Sequence, residues 1–447
     1  MCLLSALFNQ ASLKECFVTA THSCWTHAYE YVKGCVTCPT RCHLAAFSDK
    51  CSQINNQALS HFLSNSPWDH RKLLNWIQIN GVRLIGKLGA LIIDEWSNPK
   101  AGNRSVGVKR QYCGNLGKVE NCQVGVYAAY VKKGFRILLG FRLFLPKSWI
   151  YDPIRCEKAG IPLNERVFRR KADLAYELIV QAVHSGIRFT HVCMDSFYGS
   201  HPWLLTKLEA MKITYVAGVK SNERVYLEKP EYSVPSRKGN RGRKPSQVVV
   251  TNTKPVKVED IMKKVTNWRL IRIRMSSEGF LEIKCTVIKV WRIDKDIQRP
   301  LPVLLLIRKE LDDSDIKYAL CNDITIISWN RLASMHSERY WIERSFEDAI
   351  ELAGMGDYQV RNWSAWHHHM ALVLLAMFWI TKEQSVLLES CSDMTVHDTV
   401  KVIQQKLPLK VQTALLVAKK IFENHRNRKA SRRSKMKKKK LLLHDSG

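Results

Sequence analysis

Apolar positions along this chain keep two spacings, and the places where one gives way to the other mark its parts. Up to about residue 86 the spacing is helical. In "HFLSNSPWDHRKLLNWIQI", Ser66 and Pro67 open a stretch whose apolar positions are Leu73, Leu74, Trp76 and Ile77. Strand-like runs follow at Leu88–Ile93, Cys122–Val131 and Phe135–Leu145, broken by glycine and lysine-rich turns. "KADLAYELIVQAVHSG" then predicts a helix. It sets Leu174, Leu178, Ala182 and Ala175, Ile179, Val183 on one face, and Gly186 closes it. The strand "IRFTHVCMD", the helix "WLLTKLEAM" and the strand "ITYVAGV" continue the alternation, which is the pattern of an α/β core.

Between about 223 and 330 the character changes. "PSRKGNRGRKPSQ" is a basic, turn-rich loop, and "LIRIRM", "FLEIKCTVIKVW" and "LPVLLLI" read as strands of an inserted β-rich subdomain. Helical spacing returns in "SERYWIERSFEDAIELAG" and "WHHHMALVLLAMFWI". The expected organisation is a helical N-terminal region (1–86), a first core part (87–222), the β-rich insertion (223–330), a second core part (331–385) and a helical C-terminal segment with a basic tail (386–447).

Charge narrows the partners. Seventy Lys and Arg stand against 40 Asp and Glu, a formal net charge of +30, which points to a polyanion, nucleic acid first. The stretch 426–440 alone holds ten Lys or Arg in fifteen residues. The longest apolar run, "MALVLLAMFWI", has 11 residues, against roughly 20 for a membrane span. The N-terminus shows no basic leader, so a cytoplasmic protein without a membrane partner is expected. Fourteen cysteines in such a chain are expected to be reduced. Cys35, Cys38, Cys42 and His43 look like zinc ligands, but their spacing lacks two clean pairs, and ordinary buried thiols fit better.

The candidate chemistry is carboxylate chemistry. "LIIDEWSNPKAG" and "HVCMDSFYG" each end an apolar strand in acid, at Asp94 and Asp195. In open α/β sheets, sites gather at the carboxyl ends of strands. Two carboxylates meeting there repel unless a cation neutralises them, and Mg²⁺ suits such oxygen ligands. A pair of such ions can serve phosphoryl transfer. A third ligand would come from "SERYWIERSFEDAIELAGM". Glu343 has Arg339 four residues before it on the same helical face, while Glu347, Asp348 and Glu351 remain rivals by spacing.

Three blocks carry a resemblance: "IIDEWSNPKAGNRSVGVKRQYCGNLGKVENCQVGV", "HVCMDSFYGSHPWLL" and "RYWIERSFEDAIELAGMGDYQVRNWSAWHHHMAL". Over roughly residues 60–385 the chain resembles the DDE transposases of bacterial insertion sequences. Within them it looks like the cut-and-paste superfamily whose RNase H-like core is interrupted by a β-rich insertion. The resemblance implies a mixed sheet flanked by helices. It implies Asp94, Asp195 and Glu343 as the catalytic, metal-binding triad, with Mg²⁺ or Mn²⁺, two ions in all. It also implies double-stranded DNA, both element ends and target, as partner, and a homodimer on DNA in the bacterial nucleoid. The family's Tyr-x2-Arg-x3-Glu-x6-Lys signature has Arg339 and Glu343 in place here, with His336 at the Tyr position and Ile350 at the Lys position. Arg339 and His336 are therefore expected at DNA phosphates.

Lys100, after the first Asp, is a further DNA candidate beside the reading of a solvated turn lysine. Arg241 and Arg243 in "NRGRKPS" resemble a minor-groove hook, weighed against a plain flexible loop. His367, His368 and His369 occupy consecutive helix positions, cannot share one metal, and read as packing and surface residues. Trp268 and Trp291 could stack on an unpaired base, though core packing is the simpler reading. The reading that results is a transposase that binds terminal inverted repeats, cuts the ends and joins the 3′-OH to target DNA. The alternative is a catalytically decayed DNA-binding copy or a repressor of transposition.

Overall fold

One ten-stranded sheet organises the computed structural model, which describes residues 7–38, 44–51, 53–234, 249–276, 279–294, 299–312 and 314–407, with isolated positions beyond 420. Arg241, Arg243, Cys42, His43 and most of the basic tail lie outside the described residues. The sheet strands are β1 (Gly89–Pro99), β2 (Lys109–Cys113), β3 (Lys118–Lys132), β4 (Phe135–Leu143), β5 (Phe189–Met194) and β6 (Tyr215–Val219). They continue with β7 (Arg269–Ser276), β8 (Gly279–Asp294), β9 (Arg299–Lys309) and β10 (Ile316–Cys321). Their order is β7-β8-β9-β10-β6-β5-β1-β3-β2, and β4 pairs with β3. The sheet is mixed: β1, β5 and β6 run parallel, while the other pairings are antiparallel.

The strands of the β-rich stretch are not a separate sheet. β10 lies antiparallel to β6, with Leu320 opposite Ala217 and Ala319 opposite Gly218, so β7–β10 extend the core sheet as a meander. β1 is also longer than its apolar run. It continues through Asp94 to Pro99 because β3 offers partners all the way, from Asp94 opposite Tyr127 to Pro99 opposite Cys122. Asp94 therefore sits within a strand that loses only its parallel neighbour there, and not at a strand end.

Helices flank the sheet. Before β1 come α1 (Trp25–Thr37), α2 (Leu44–Lys50), α3 (Asn56–Ser64) and α4 (His70–Ile85). Within the core come α5 (Pro153–Lys158), α6 (Lys171–His184), α7 (Ser196–Gly199) and α8 (Pro202–Ala210). After β10 come α9 (Trp329–Ser337), α10 (Tyr340–Ala353), α11 (Trp363–Leu387) and α12 (Val396–Lys406). α6 buries Leu174, Ala175, Leu178, Ile179 and Ala182 as its pattern requires, but Val183 at its C-terminal end is exposed.

α11 is the spine of the core. Asn362 caps it by accepting from the Ala365 amide at 2.8 Å. It is long and apolar enough to cross a membrane, and it is mostly buried inside this fold. The uninterrupted apolar run is 11 residues, but the helix around it has 25. A helix that is apolar all round belongs in a core. Burial of each of Leu372, Val373, Leu374 and Leu375 contributes about 1.5–3 kcal/mol. All three consecutive histidines are buried, and none is a surface residue. His367 and His368 have Nδ1 against the carbonyls of Trp363 and Leu63 at 2.8 Å, and His369 Nδ1 meets the Tyr31 hydroxyl at 2.7 Å. His368 and His369 tie α11 to the N-terminal helical layer, while the His367 bond closes within α11.

Candidate active site

The parallel register of β1 and β5 sets the site. Ile93 pairs with Met194, so Asp94 and Asp195 are the next residues on two neighbouring strands, whose backbones lie about 4.8 Å apart. Past Met194 the chain turns into α7. Asp195 caps that turn, its Oδ1 accepting from the Phe197 amide at 3.0 Å and the Tyr198 amide at 3.2 Å. Two glycines fix the turn against β6. A Cβ on Gly199 would stand 1.8 Å from the Gly218 carbonyl oxygen, and one on Gly218 would stand 2.9 Å from the Ser196 amide nitrogen. Only glycine lets the backbones approach so closely.

α10 brings the third carboxylate. Its inner face buries Ile342, Phe346 and Ala349, and Phe346 meets Tyr127 of β3 edge-on at 5.3 Å. This turns Arg339 and Glu343 toward β1. Arg339 Nη1 donates to Asp94 Oδ2 at 3.1 Å, and its Nη2 lies 2.6 Å from Glu343 Oε1. One guanidinium thus bridges a strand carboxylate and a helix carboxylate. The rival acids are otherwise engaged. Asp348 is fully buried and paired with Arg136 of β4, Glu347 pairs with Arg344 at 2.7 Å, and Glu351 pairs with His397 at 3.0 Å.

Electrostatics mark the two aspartates. Burial, and then the facing Asp195, push the Asp94 carboxyl up to about 7; Arg339 and the Glu95 amide oppose the shift. Asp195 is raised as well, by burial first, against the opposing pull of the Tyr198 amide, Arg339, the Phe197 amide and Lys171. Acids that resist ionising side by side lack compensating positive charge. Arg339 supplies part of it. Among the described residues, Asp195 Oδ2 and Glu343 Oε2 accept no hydrogen bond. Hard, uncommitted oxygens of this kind suit a divalent cation. Among the described residues, no three acidic, histidine or cysteine side chains are grouped closely enough to hold a metal ion, and Arg339 contacts both Asp94 and Glu343.

The chain matches the family model described as DDE superfamily endonuclease over residues 12–279. The chain belongs to the DDE superfamily of endonucleases. It is also similar to the probable transposase for insertion sequence element IS701 of Microchaete diplosiphon, 32% identical over 203 residues, which is 45% of this chain and 50% of that protein. The chain thus aligns with about half the length of this curated relative. The resemblance to DDE transposases of insertion sequences, drawn from the three motif blocks, stands at the level of family, and the mixed sheet flanked by helices agrees with an RNase H-like core.

Within this DDE chain the other expected residues fall in varied places. Lys100 is not a free turn lysine. Its Nζ donates to the Tyr358 carbonyl at 3.0 Å and lies 3.5 Å from the Tyr358 ring centroid, and burial pushes its ammonium down to about 8. His336 is buried on α9; burial drives its pKa to about 3, so it brings no charge. Ile350 is half-buried and packs against the core. Trp268 is half-buried, with Lys309 Nζ 4.4 Å from its ring centroid. Trp291 is half-buried, with Lys289 Nζ at 5.6 Å. Cys35 and Cys38 are buried thiols.

Two residues near the acids escaped sequence reasoning. Lys171 opens α6, pairs with Glu95 at 2.8 Å and acts on Asp195 electrostatically. A lysine at a helix start runs against the helix dipole, and that was its only signal. Tyr198 is fully buried, and its hydroxyl has no hydrogen-bond partner among the described residues. Burial first, then Glu95, Asp94 and Asp195, raise its pKa, so it sits against the acidic cluster. Nothing in its sequence context signals this.

Proposed function

We propose that the chain is a cut-and-paste transposase that uses Asp94, Asp195 and Glu343 to cut the DNA at the ends of its own element and join the 3′-OH ends to target DNA. The observation that carries the reading is the meeting of Asp94 and Asp195 at matching positions on parallel strands, with Arg339 and Glu343 facing them from α10. A divalent cation, Mg²⁺ or Mn²⁺, held by these three carboxylates would act as a Lewis acid on the scissile phosphodiester and on the attacking oxygen.

The chain's own groups do the rest. Asp195 keeps Oδ1 in the α7 cap, and Oδ2, which accepts no hydrogen bond among the described residues, would bind the cation. Arg339 changes partners when DNA arrives: it leaves the carboxylates and takes the phosphate oxygens, which it matches in a bidentate fork. Lys171, which pairs with Glu95 and acts on Asp195 electrostatically, meets the DNA backbone beside the cut. In the first step water attacks phosphorus and the 3′ oxygen leaves with its proton restored. In the second, that 3′-hydroxyl attacks a target phosphodiester and displaces its 3′ oxygen. Both are in-line displacements on phosphorus, so one site serves both.

In this reading residues 1–86 recognise the terminal inverted repeats, 87–222 and 331–385 form the catalytic core around the insertion 223–330, and 386–447 adds non-specific DNA affinity. Two ends are held together by a homodimer on DNA in the nucleoid, and no membrane takes part. The decayed copy or repressor is the second reading. Its support is the half-buried Ile350 and the neutral, buried His336 where the family signature has a cation and a tyrosine. A strand-transfer assay with duplexes carrying the element's own ends separates the two. Joined products that require Mg²⁺ or Mn²⁺ support the transposase, and binding without cleavage supports the decayed copy.

A further inference from the structure

A cavity of about 560 Å³ lies between the loop after β1, helix α5 and the segment before α11. Four cations line it, Arg104, Arg155, Lys158 and Arg361, with one acid, Asp152. The acid is already committed, since its Oδ1 accepts from the Arg155 amide at 2.9 Å. Arg155 is fixed as part of the wall. Its guanidinium lies 3.7 Å from the Trp149 ring centroid and donates to the Asn103 carbonyl at 2.7 Å. Trp149 is itself buried and anchored by its Nε1 to the Val108 carbonyl at 2.8 Å. The side chains of Arg104, Lys158 and Arg361 make no ion pair or hydrogen bond among the described residues, and all three are exposed. Like charges gathered on a rigid wall repel one another and attract an anion.

The shape favours a chain over a compact ion. A second cavity, of about 620 Å³, shares Arg361 and Asn362 with the first and runs on past Asn56, Ser60 and Ser64. The two adjoin at Arg361 and Asn362, between the N-terminal helices and the core, and the second adds apolar residues and one further acid, Asp357. The groove is tied to the acidic site through the same elements. β1 carries Asp94 and leads into the loop of Arg104, and α10 carries Glu343 and leads to Arg361. From Asp94 to Pro99, β1 rises roughly 17 Å, which is about five base pairs of duplex.

We infer that this basic groove binds the phosphodiester backbone of the same DNA, five or more base pairs from the cut. The inference rests on the proposed DNA-cutting role and adds a second anchoring site to it. Arg104, Lys158 and Arg361 take phosphate oxygens, Trp149 keeps Arg155 in place, and Asn56, Ser60 and Ser64 offer neutral hydrogen bonds to further backbone oxygens.

The test uses the full chain, a 40-base-pair duplex of mixed sequence and fluorescence anisotropy at several salt concentrations. Arg104→Gln/Lys158→Gln/Arg361→Gln is expected to weaken binding at least about tenfold. It should also flatten the plot of log affinity against log salt by about two to three units, roughly 0.9 for each phosphate that is no longer neutralised. The melting temperature of the variant is expected to match the wild type. If the triple variant does not fold, the exposed Lys158→Glu alone carries the test, with a slope change of about one unit. Unchanged affinity and slope overturn the inference while leaving the catalytic reading in place. A wild-type chain that does not bind this duplex overturns the inference, whereas failure to cut a duplex carrying the element's own ends overturns the catalytic reading. Inorganic phosphate is the control arm: if it raises the melting temperature of the wild type but not of the variant, while DNA affinity is equal in the two, the groove serves a free anion and the inference fails.

Discussion

Arg339 reaches across the cleft to Asp94 at 3.1 Å while its other terminal nitrogen holds Glu343 at 2.6 Å. The guanidinium supplies positive charge to two of the carboxylates that would hold a cation. Arg339→Gln is therefore predicted to separate two quantities that usually move together. Divalent-cation affinity, read by calorimetry with Mn²⁺, should rise because the competing charge is gone. Cleavage should fall by about tenfold to a hundredfold, the worth of one charge-assisted hydrogen bond made in the transition state. Weaker Mn²⁺ binding would show that Arg339 helps to build the cation site.

Lys171 is predicted to act on DNA and not merely to hold Glu95. Lys171→Gln should slow cleavage by about tenfold or more, and Lys171→Arg should restore most of it. A variant with normal cleavage but a lowered melting temperature would leave Lys171 as a packing residue of α6.

The turn that holds Asp195 depends on the lack of a side chain at Gly199. Gly199→Ala forces the added carbon, 1.8 Å from the Gly218 carbonyl, to push α7 away from β6. A loss of about 2–4 kcal/mol is expected in urea unfolding, with cleavage lost even where the protein remains folded. Wild-type stability and activity would show that the turn tolerates displacement.

Acid should loosen the tie between α11 and the N-terminal helices. His369 is buried and His70 half-buried, and desolvation drives both to about 3, so both are neutral near pH 7. An unfolded histidine titrates near 6.5. The unfolded chain thus binds more protons, and the stability from these groups is full above pH 6.5 and lost as pH falls toward 3. The expected slope is about 1.4 kcal/mol per pH unit for each histidine across that window. Unfolding measured from pH 7 to 4 should show it, and His369→Gln should make the dependence shallower. A flat profile would contradict the burial of these rings as neutral groups.

The readable parts of the site and fold are those set by local pattern. Asp94 and Asp195 stand out because apolar runs on either side of a helix end in acid, and parallel pairing of such runs puts the acids together. The reach of β1 to Pro99 was hidden because it depends on β3, some thirty residues on. The alternation of β7–β10 marked them as strands, but their junction with β6 is a tertiary choice that no local pattern encodes. The same holds for Lys171 and Tyr198, brought to the acids by packing. Type and position suggested DNA for Lys100 and His336; in the fold Lys100 is half-buried against Tyr358 and His336 is buried, contacts that no local pattern shows. Spacing left Glu343 level with Glu347, Asp348 and Glu351; in the fold, Arg344, Arg136 and His397 engage the other three.

If Asp94, Asp195 and Glu343 hold a divalent cation that cuts DNA, a ligand swap at Asp195 tests them most directly. A thiolate is a poor ligand for Mg²⁺ and a better one for softer ions. Cleavage of an element-end duplex by Asp195→Cys should drop by a factor on the order of 10³ in Mg²⁺ and recover substantially in Mn²⁺, while the wild type cuts in both. Normal cutting by Asp195→Cys in Mg²⁺, or no recovery in Mn²⁺ by a variant that folds and binds the duplex, would contradict this assignment of the three carboxylates.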